Sequence, residues 1–149
     1  VVITRFKGTG DAELGVFLVD LYCLGVKNAT FGRFYAAEYP EKLQFLFGAE
    51  EAPVAMAPAE ARALVEGAVA YAQRLGFAPH PDYQLGQRVF GGIDPKASTA
   101  TFTYGKDGKP FYIQGPDDSP EFVQAVMDCL ERQCGKGNFG YLAMAEEPS

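Results

Sequence analysis

The feature that most constrains the fold is an apolar stretch over residues 14–26 that contains a single charged residue, Asp20. Its central part does not alternate cleanly between apolar and polar side chains, which is typical of a strand buried on both faces. We therefore predict a central β-strand over residues 13–23, beside a first strand over residues 1–7. A carboxylate in such a strand is costly unless it is paired, protonated or bound to a metal ion.

Proline and glycine bracket four predicted helices. Each begins near a proline, which suits the first helical position because its missing N–H would have no helical partner there. Each ends before a glycine, which accepts a left-handed conformation, and acidic residues follow each proline, where the helix dipole favours them. The predicted helices cover residues 40–47, 58–75, 81–90 and 120–134.

The remaining segments complete an α+β fold. Residues 99–104 and 110–113 flank an Asp-Gly turn, which predicts a second hairpin, and a short strand is expected near 139–144. Residues 48–57 are expected to form an exposed loop. We predict one domain over residues 1–149, in the order ββαααββα, with an antiparallel or mixed sheet of two hairpins covered by helices.

Charge and hydropathy narrow the classes of partner. The net charge is −6 with 13 Lys and Arg among 149 residues, which disfavours an extended nucleic acid. A local basic patch stays open, because Arg5, Lys7, Lys27 and Arg33 all lie in the first quarter. No apolar run approaches 18 residues and the start carries no signal-peptide pattern, so we expect a cytoplasmic protein without a membrane span.

Asp20 has two interpretations. As a structural group, it would pair with Arg5 on the neighbouring strand or accept backbone N–H bonds. As a functional group, it would act as an acid/base or a metal ligand together with His80 and Asp82, which lie at a predicted helix start. With Asp94, and with Glu66 nearby, such a set suits Mg²⁺ or Mn²⁺ and phosphoester hydrolysis.

Two further residues near Asp20 are candidates for binding. Lys27 could bind a phosphate or pair with Asp20. Cys23 would need a His⁺ or a helix N-terminus to become a nucleophile, and the chain has one histidine, His80. The odd number of cysteines, three, predicts buried thiols rather than disulfides. The tentative catalytic residues are thus Asp20, His80 and Asp82, the binding residues Arg5, Cys23 and Lys27, and the metal ligands Asp20, Asp82 and Asp94.

Three segments carry a resemblance: residues 16–27, VFLVDLYCLGVK; residues 71–83, YAQRLGFAPHPDY; and residues 102–116, FTYGKDGKPFYIQGP. Together they resemble a family of uncharacterised bacterial conserved hypothetical proteins. The resemblance spans most of the chain and implies a bacterial, intracellular origin. It implies no functional residue.

Two functions follow as hypotheses. The first is a regulatory α+β module that binds a partner protein or a small ligand, because the sequence contains no recognisable catalytic motif and no phosphate-binding glycine loop. The alternative is a metal-dependent phosphoester hydrolase that uses Asp20 with Asp82, Asp94 and His80. Whether these side chains meet separates the two.

Overall fold

A computed structural model describes residues 1–48 and 53–143 and confirms the α+β class. The chain forms a three-stranded antiparallel sheet, then three helices, then a short parallel strand pair with a helix between its strands. Short 3₁₀ turns lie at Ala36–Glu38, Gln87–Phe90 and Pro95–Ala97. The strands are β1 (Val2–Phe6), β2 (Asp11–Asp20), β3 (Gly25–Tyr35), β4 (Phe111–Ile113) and β5 (Gly140–Leu142), and the helices are α1 (Tyr39–Phe47), α2 (Pro58–Arg74), α3 (Tyr83–Gly86) and α4 (Pro120–Cys134).

The bracketed helices form where the sequence predicts them, with one exception. Helices α1, α2 and α4 match the predicted ranges within one residue. The segment predicted as a helix over 81–90 is instead the single turn α3 followed by a 3₁₀ turn, Gln87–Phe90. None of the helices in the described ranges is long and apolar enough to cross a membrane.

The three-stranded sheet differs from the prediction beyond Asp20, the last residue of β2. Strand β2 stops at Asp20, residues 21–24 form a turn, and β3 returns antiparallel, although the sequence analysis predicted no strand there. Gly25 opens β3 with φ of +70°, and a Cβ at this position would lie 2.9 Å from the Cβ of Ala72 in α2. Cys23 and Leu24 are therefore buried in a turn packed against a helix, not in a longer strand.

The second predicted hairpin is only partly present. The Asp-Gly turn forms, with a bridge between Lys106 and Lys109, but residues 99–104 are not a strand. The hydroxyl of Tyr104 donates to the carbonyl of Leu64 in α2 at 3.0 Å, so the end of this segment contacts α2 instead of pairing as a strand. β4 pairs in parallel with β5, which confirms the short strand predicted near 139–144. Of the predicted loop over 48–57, residues 49–52 lie outside the described part, and residues 53–57 are exposed.

In the described part of the chain, the core consists of two hydrophobic clusters that both receive residues of α2. The first lies between the sheet, α2 and α3, and includes Phe17, Val65, Val89 and Phe90. The second is built around Tyr112 and Leu130 and receives Cys23 and Leu24 from the turn between β2 and β3. This turn therefore ties the sheet to the C-terminal elements.

Candidate functional site

Asp20 closes the turn between β2 and β3. Its carboxylate accepts the backbone N–H of Tyr22 at 3.1 Å and that of Leu24 at 2.9 Å. The thiol of Cys23 donates to the same carboxylate at 3.8 Å. Of the roles weighed for Asp20, acceptance of backbone N–H bonds is the one that the structure contains.

The predicted pair between Arg5 and Asp20 does not form, because the register of the sheet separates the two residues. Arg5 lies opposite Glu13, and its Nη2 is 2.6 Å from a Glu13 carboxylate oxygen. Asp20 lies opposite Gly25, seven positions further along β2 than Glu13. At about 3.3 Å per strand residue, the two positions are roughly 23 Å apart along the strand.

The fold does not bring together the four side chains that the hydrolase hypothesis requires, which are those of Asp20, His80, Asp82 and Asp94. His80 Nδ1 lies 3.7 Å from a carboxylate oxygen of Asp82, but Asp94 accepts a backbone N–H of its own turn and Asp20 closes a different one. Glu66 pairs with the arginine one turn before it in α2. Within the described residues, no three His, Cys, Asp or Glu side chains are placed to hold a metal ion. The predicted set of Asp20, Asp82 and Asp94 therefore forms no metal centre in this part of the chain.

Cys23 is placed as a structural thiol. It is fully buried in the second hydrophobic cluster. Burial, with the Asp20 carboxylate as a smaller cause, raises the pKa of the Cys23 thiol far above its usual value. Because the thiolate is the nucleophile and the metal ligand, a thiol held protonated in this way fits neither role.

Lys27 and His80, two residues singled out separately in the sequence, line the same cavity. This cavity, of about 410 Å³, lies between the start of β3, the loop after α2 and the start of α4. The backbone N–H of His80 donates to the carbonyl of Val26 at 2.9 Å, which holds the loop against β3. The apolar walls of the cavity include Leu24, Val26, Phe77 and Phe122.

Asp118 adds a carboxylate to this cavity. One of its oxygens accepts both the hydroxyl of Tyr112 at 2.7 Å and the backbone N–H of Gly115 at 2.8 Å. Tyr112 is buried, and its burial together with the Asp118 hydrogen bond raises the pKa of its hydroxyl. Asp118 is thus held in place by the protein before any ligand arrives.

The tautomer of His80 determines what it offers to a ligand. The backbone N–H of Asp82 donates to His80 Nδ1 at 3.1 Å. Because Nδ1 accepts this bond, Nε2 carries the proton of the neutral ring. His80 therefore supplies an N–H donor in the neutral state, alongside the ammonium group of Lys27.

A second cavity, of about 430 Å³, lies between α1, residues 53–56 and the start of β1. Its lining includes Leu43, Phe47, Val54 and Met56, and no charged side chain is among the residues that line it in the described part of the chain. Among the described residues, its lining offers no side-chain charge to orient a ligand. The cavity with Lys27 and His80 is the better candidate site.

Sequence reasoning missed Asp118 and Phe122 as site residues. Both lie around the N-terminus of α4, where Ser119 caps the helix by accepting the N–H of Phe122 at 3.1 Å. The sequence does predict this helix cap, but no local sequence pattern connects residues 118–122 to Lys27.

Comparisons with protein families, with curated proteins and with solved structures found no match. The resemblance to a bacterial family accordingly stays a prediction.

Proposed function

We propose that this protein is a binding module for a small molecule with an apolar body and one negatively charged group. The observation that carries the proposal is that Lys27 and His80 line the same largely apolar cavity of about 410 Å³. Small-molecule sites typically enclose roughly 300–1,000 Å³ and combine apolar walls with a few polar groups that fix orientation.

Different residues of the lining suit different parts of such a ligand. Phe77 and Phe122 offer aromatic surface to the apolar body of a ligand. The ammonium of Lys27 and the Nε2–H of His80 are donors for a carboxylate or a similar anion. Asp118 is a fixed negative charge in the same cavity, so it favours a ligand with one anionic group over a polyanion.

The experiment is an NMR titration with phenylacetate as the probe. We expect saturable shifts of backbone amides in residues 24–27, 76–80 and 118–122. Lys27→Gln should weaken binding by about fivefold, since a partly exposed ion pair contributes up to about 1 kcal/mol. Benzyl alcohol, which has the same ring without the charge, should bind more weakly and should not respond to Lys27→Gln.

A matched control is Lys42→Gln, which removes an exposed lysine from α1, away from this cavity. It should leave the affinity for phenylacetate unchanged. Shifts that centre on Leu43, Phe47 and Met56 instead would assign the ligand to the second cavity and overturn the proposal. Equal affinity of Lys27→Gln and the parent protein would do the same.

A further inference from the structure

A second feature, independent of the cavity, is a cluster of three basic side chains around one carboxylate. Glu13 of β2 lies with one oxygen 2.6 Å from Arg5 Nη2 and the other 2.7 Å from Lys7 Nζ. Arg33 approaches from β3, with its Nε 3.5 Å from Glu13. Three of the four residues considered for a basic patch thus converge, while Lys27 lies in the cavity described above.

The cluster carries more positive charge than Glu13 needs. Glu13 is only 4% exposed. Hydrogen bonds from Lys7 and then Arg5 lower the pKa of its carboxyl to about 2, so it is ionised at neutral pH. Three cations against the carboxylates of Glu13 and Asp11 leave a surplus of one positive charge on this face, in a protein whose net charge is −6. Asp11 is the next carboxylate on this face of β2, and it accepts the Thr9 hydroxyl at 3.4 Å.

The cluster is also partly preorganised. A Cβ at Gly91 would overlap the guanidinium of Arg5, so Arg5 packs directly on the backbone of that residue. Lys7 and Arg33 remain open to solvent, with side chains 45% and 64% exposed. Arg5 and Glu13 therefore form a fixed base from which the two other cations can reach a ligand.

We propose that Arg5, Lys7 and Arg33 form a binding site for a phosphate dianion. A phosphate carries a charge of about −1.5 to −2 near neutral pH, so three clustered cations attract it more strongly than a singly charged anion. Guanidinium groups suit phosphate oxygens because their N–H donors form a planar fork. The scarcity of basic residues elsewhere favours a single phosphate over a long polyanion.

The test is an NMR titration with inorganic phosphate at about pH 8, where phosphate is mostly dianionic. Chloride is exchanged for phosphate at constant ionic strength, so that general screening does not change. We expect saturable shifts of the amides of Arg5, Lys7, Glu13 and Arg33. Shifts that fail to saturate, or that spread over the surface, would overturn the proposal.

Two substitutions of opposite sign sharpen the test. Arg33→Gln should weaken phosphate binding about fivefold or more, because it removes a solvent-exposed cation from the site. Asp11→Asn should strengthen binding, because it removes a negative charge beside the cluster. Lys42→Gln on α1 is the neutral control. If Arg33→Gln does not fold, Lys7→Gln takes its place, and an unchanged affinity in the folded variant would refute the site.

Discussion

Replacing Asp20 with alanine should destabilise the protein through the turn between β2 and β3. The carboxylate accepts the N–H groups of Tyr22 and Leu24. Leu24 is 7% exposed, so its N–H would be left buried without this acceptor. An unsatisfied buried donor costs about 1–3 kcal/mol. Tyr22 is exposed, so water can replace the carboxylate at its N–H. We therefore expect Asp20→Ala to lower the free energy of unfolding by about 2 kcal/mol.

The measurement is urea unfolding, with thermal melting as a second readout. A loss of this size corresponds to a fall in Tm of roughly 4–8 °C for a chain of this length. Asp20→Asn keeps one oxygen acceptor and should lose about half as much, because hydrogen bonds to a neutral group are weaker. Asp11→Ala, at the exposed opposite end of β2, is the matched control and should stay within about 0.5 kcal/mol of the parent.

Two outcomes would refute this reasoning. The first is an Asp20→Ala protein as stable as the Asp11→Ala control. The second is a rise in Tm with Mg²⁺ or Mn²⁺ that disappears in Asp20→Asn, since a metal that binds the folded state stabilises it by mass action. The second result would restore Asp20 as a metal ligand.

Three further predictions concern Gly25, Glu13 and Cys23. Gly25→Ala should lower the free energy of unfolding by about 2–3 kcal/mol, because it combines a left-handed backbone with overlap against α2. Gly32→Ala, where a Cβ meets nothing within 4 Å, should change it by less than about 0.5 kcal/mol in the same urea assay, and equal losses would contradict the overlap. Because the pKa of Glu13 is lowered from 4.5 to about 2, its contribution to stability is complete above pH 4.5 and is lost as the pH falls towards 2. Acid unfolding of Glu13→Gln should therefore show a shallower decline over this window than the parent, and parallel curves would argue against the cluster. Cys23 should resist alkylation until the protein unfolds, whereas the half-buried Cys134 should react sooner, as peptide mapping by mass spectrometry can establish. Rapid labelling of Cys23 in native protein would contradict its placement.

The helices could be predicted from the sequence because their limits depend on local chemistry. Helix α4 begins after Ser119, whose side chain accepts the N–H of Phe122, and ends before Gly135, which has φ of +85°. Both signals act within one turn of the helix and need no tertiary contact. The same rule locates the first residue of α2, Pro58.

The strands were less predictable because apolar sequence reports burial rather than strand geometry. Cys23 and Leu24 are buried, but in a turn, where they join the cluster around Tyr112. Strand β3 was not predicted because it contains polar residues such as Lys27 and Arg33. Its pairing with β2 is also irregular, since the register shifts between Leu18 and Val19. Tertiary packing decided both outcomes.

The candidate site, too, could be predicted from the sequence only in part. Residue type was enough to single out Lys27 and His80, but their placement along one cavity depends on the fold, in which the N–H of His80 donates to the carbonyl of Val26. Asp118 and Phe122 come from a helix start far along the chain. Long-range contacts of this kind have no local sequence signal, and their identification required the fold.

The sharing of α2 between the two hydrophobic clusters has a consequence for cooperativity. Val65 and Val69 belong to the first cluster, whereas Tyr71 packs against the second, so one continuous helix forms a wall of both. Neither cluster can release this helix without exposing apolar surface in the other. The slowest-exchanging amides of α2 should accordingly report global unfolding, and the helix should act as the mechanical link between sheet and C-terminal elements in a single cooperative unit.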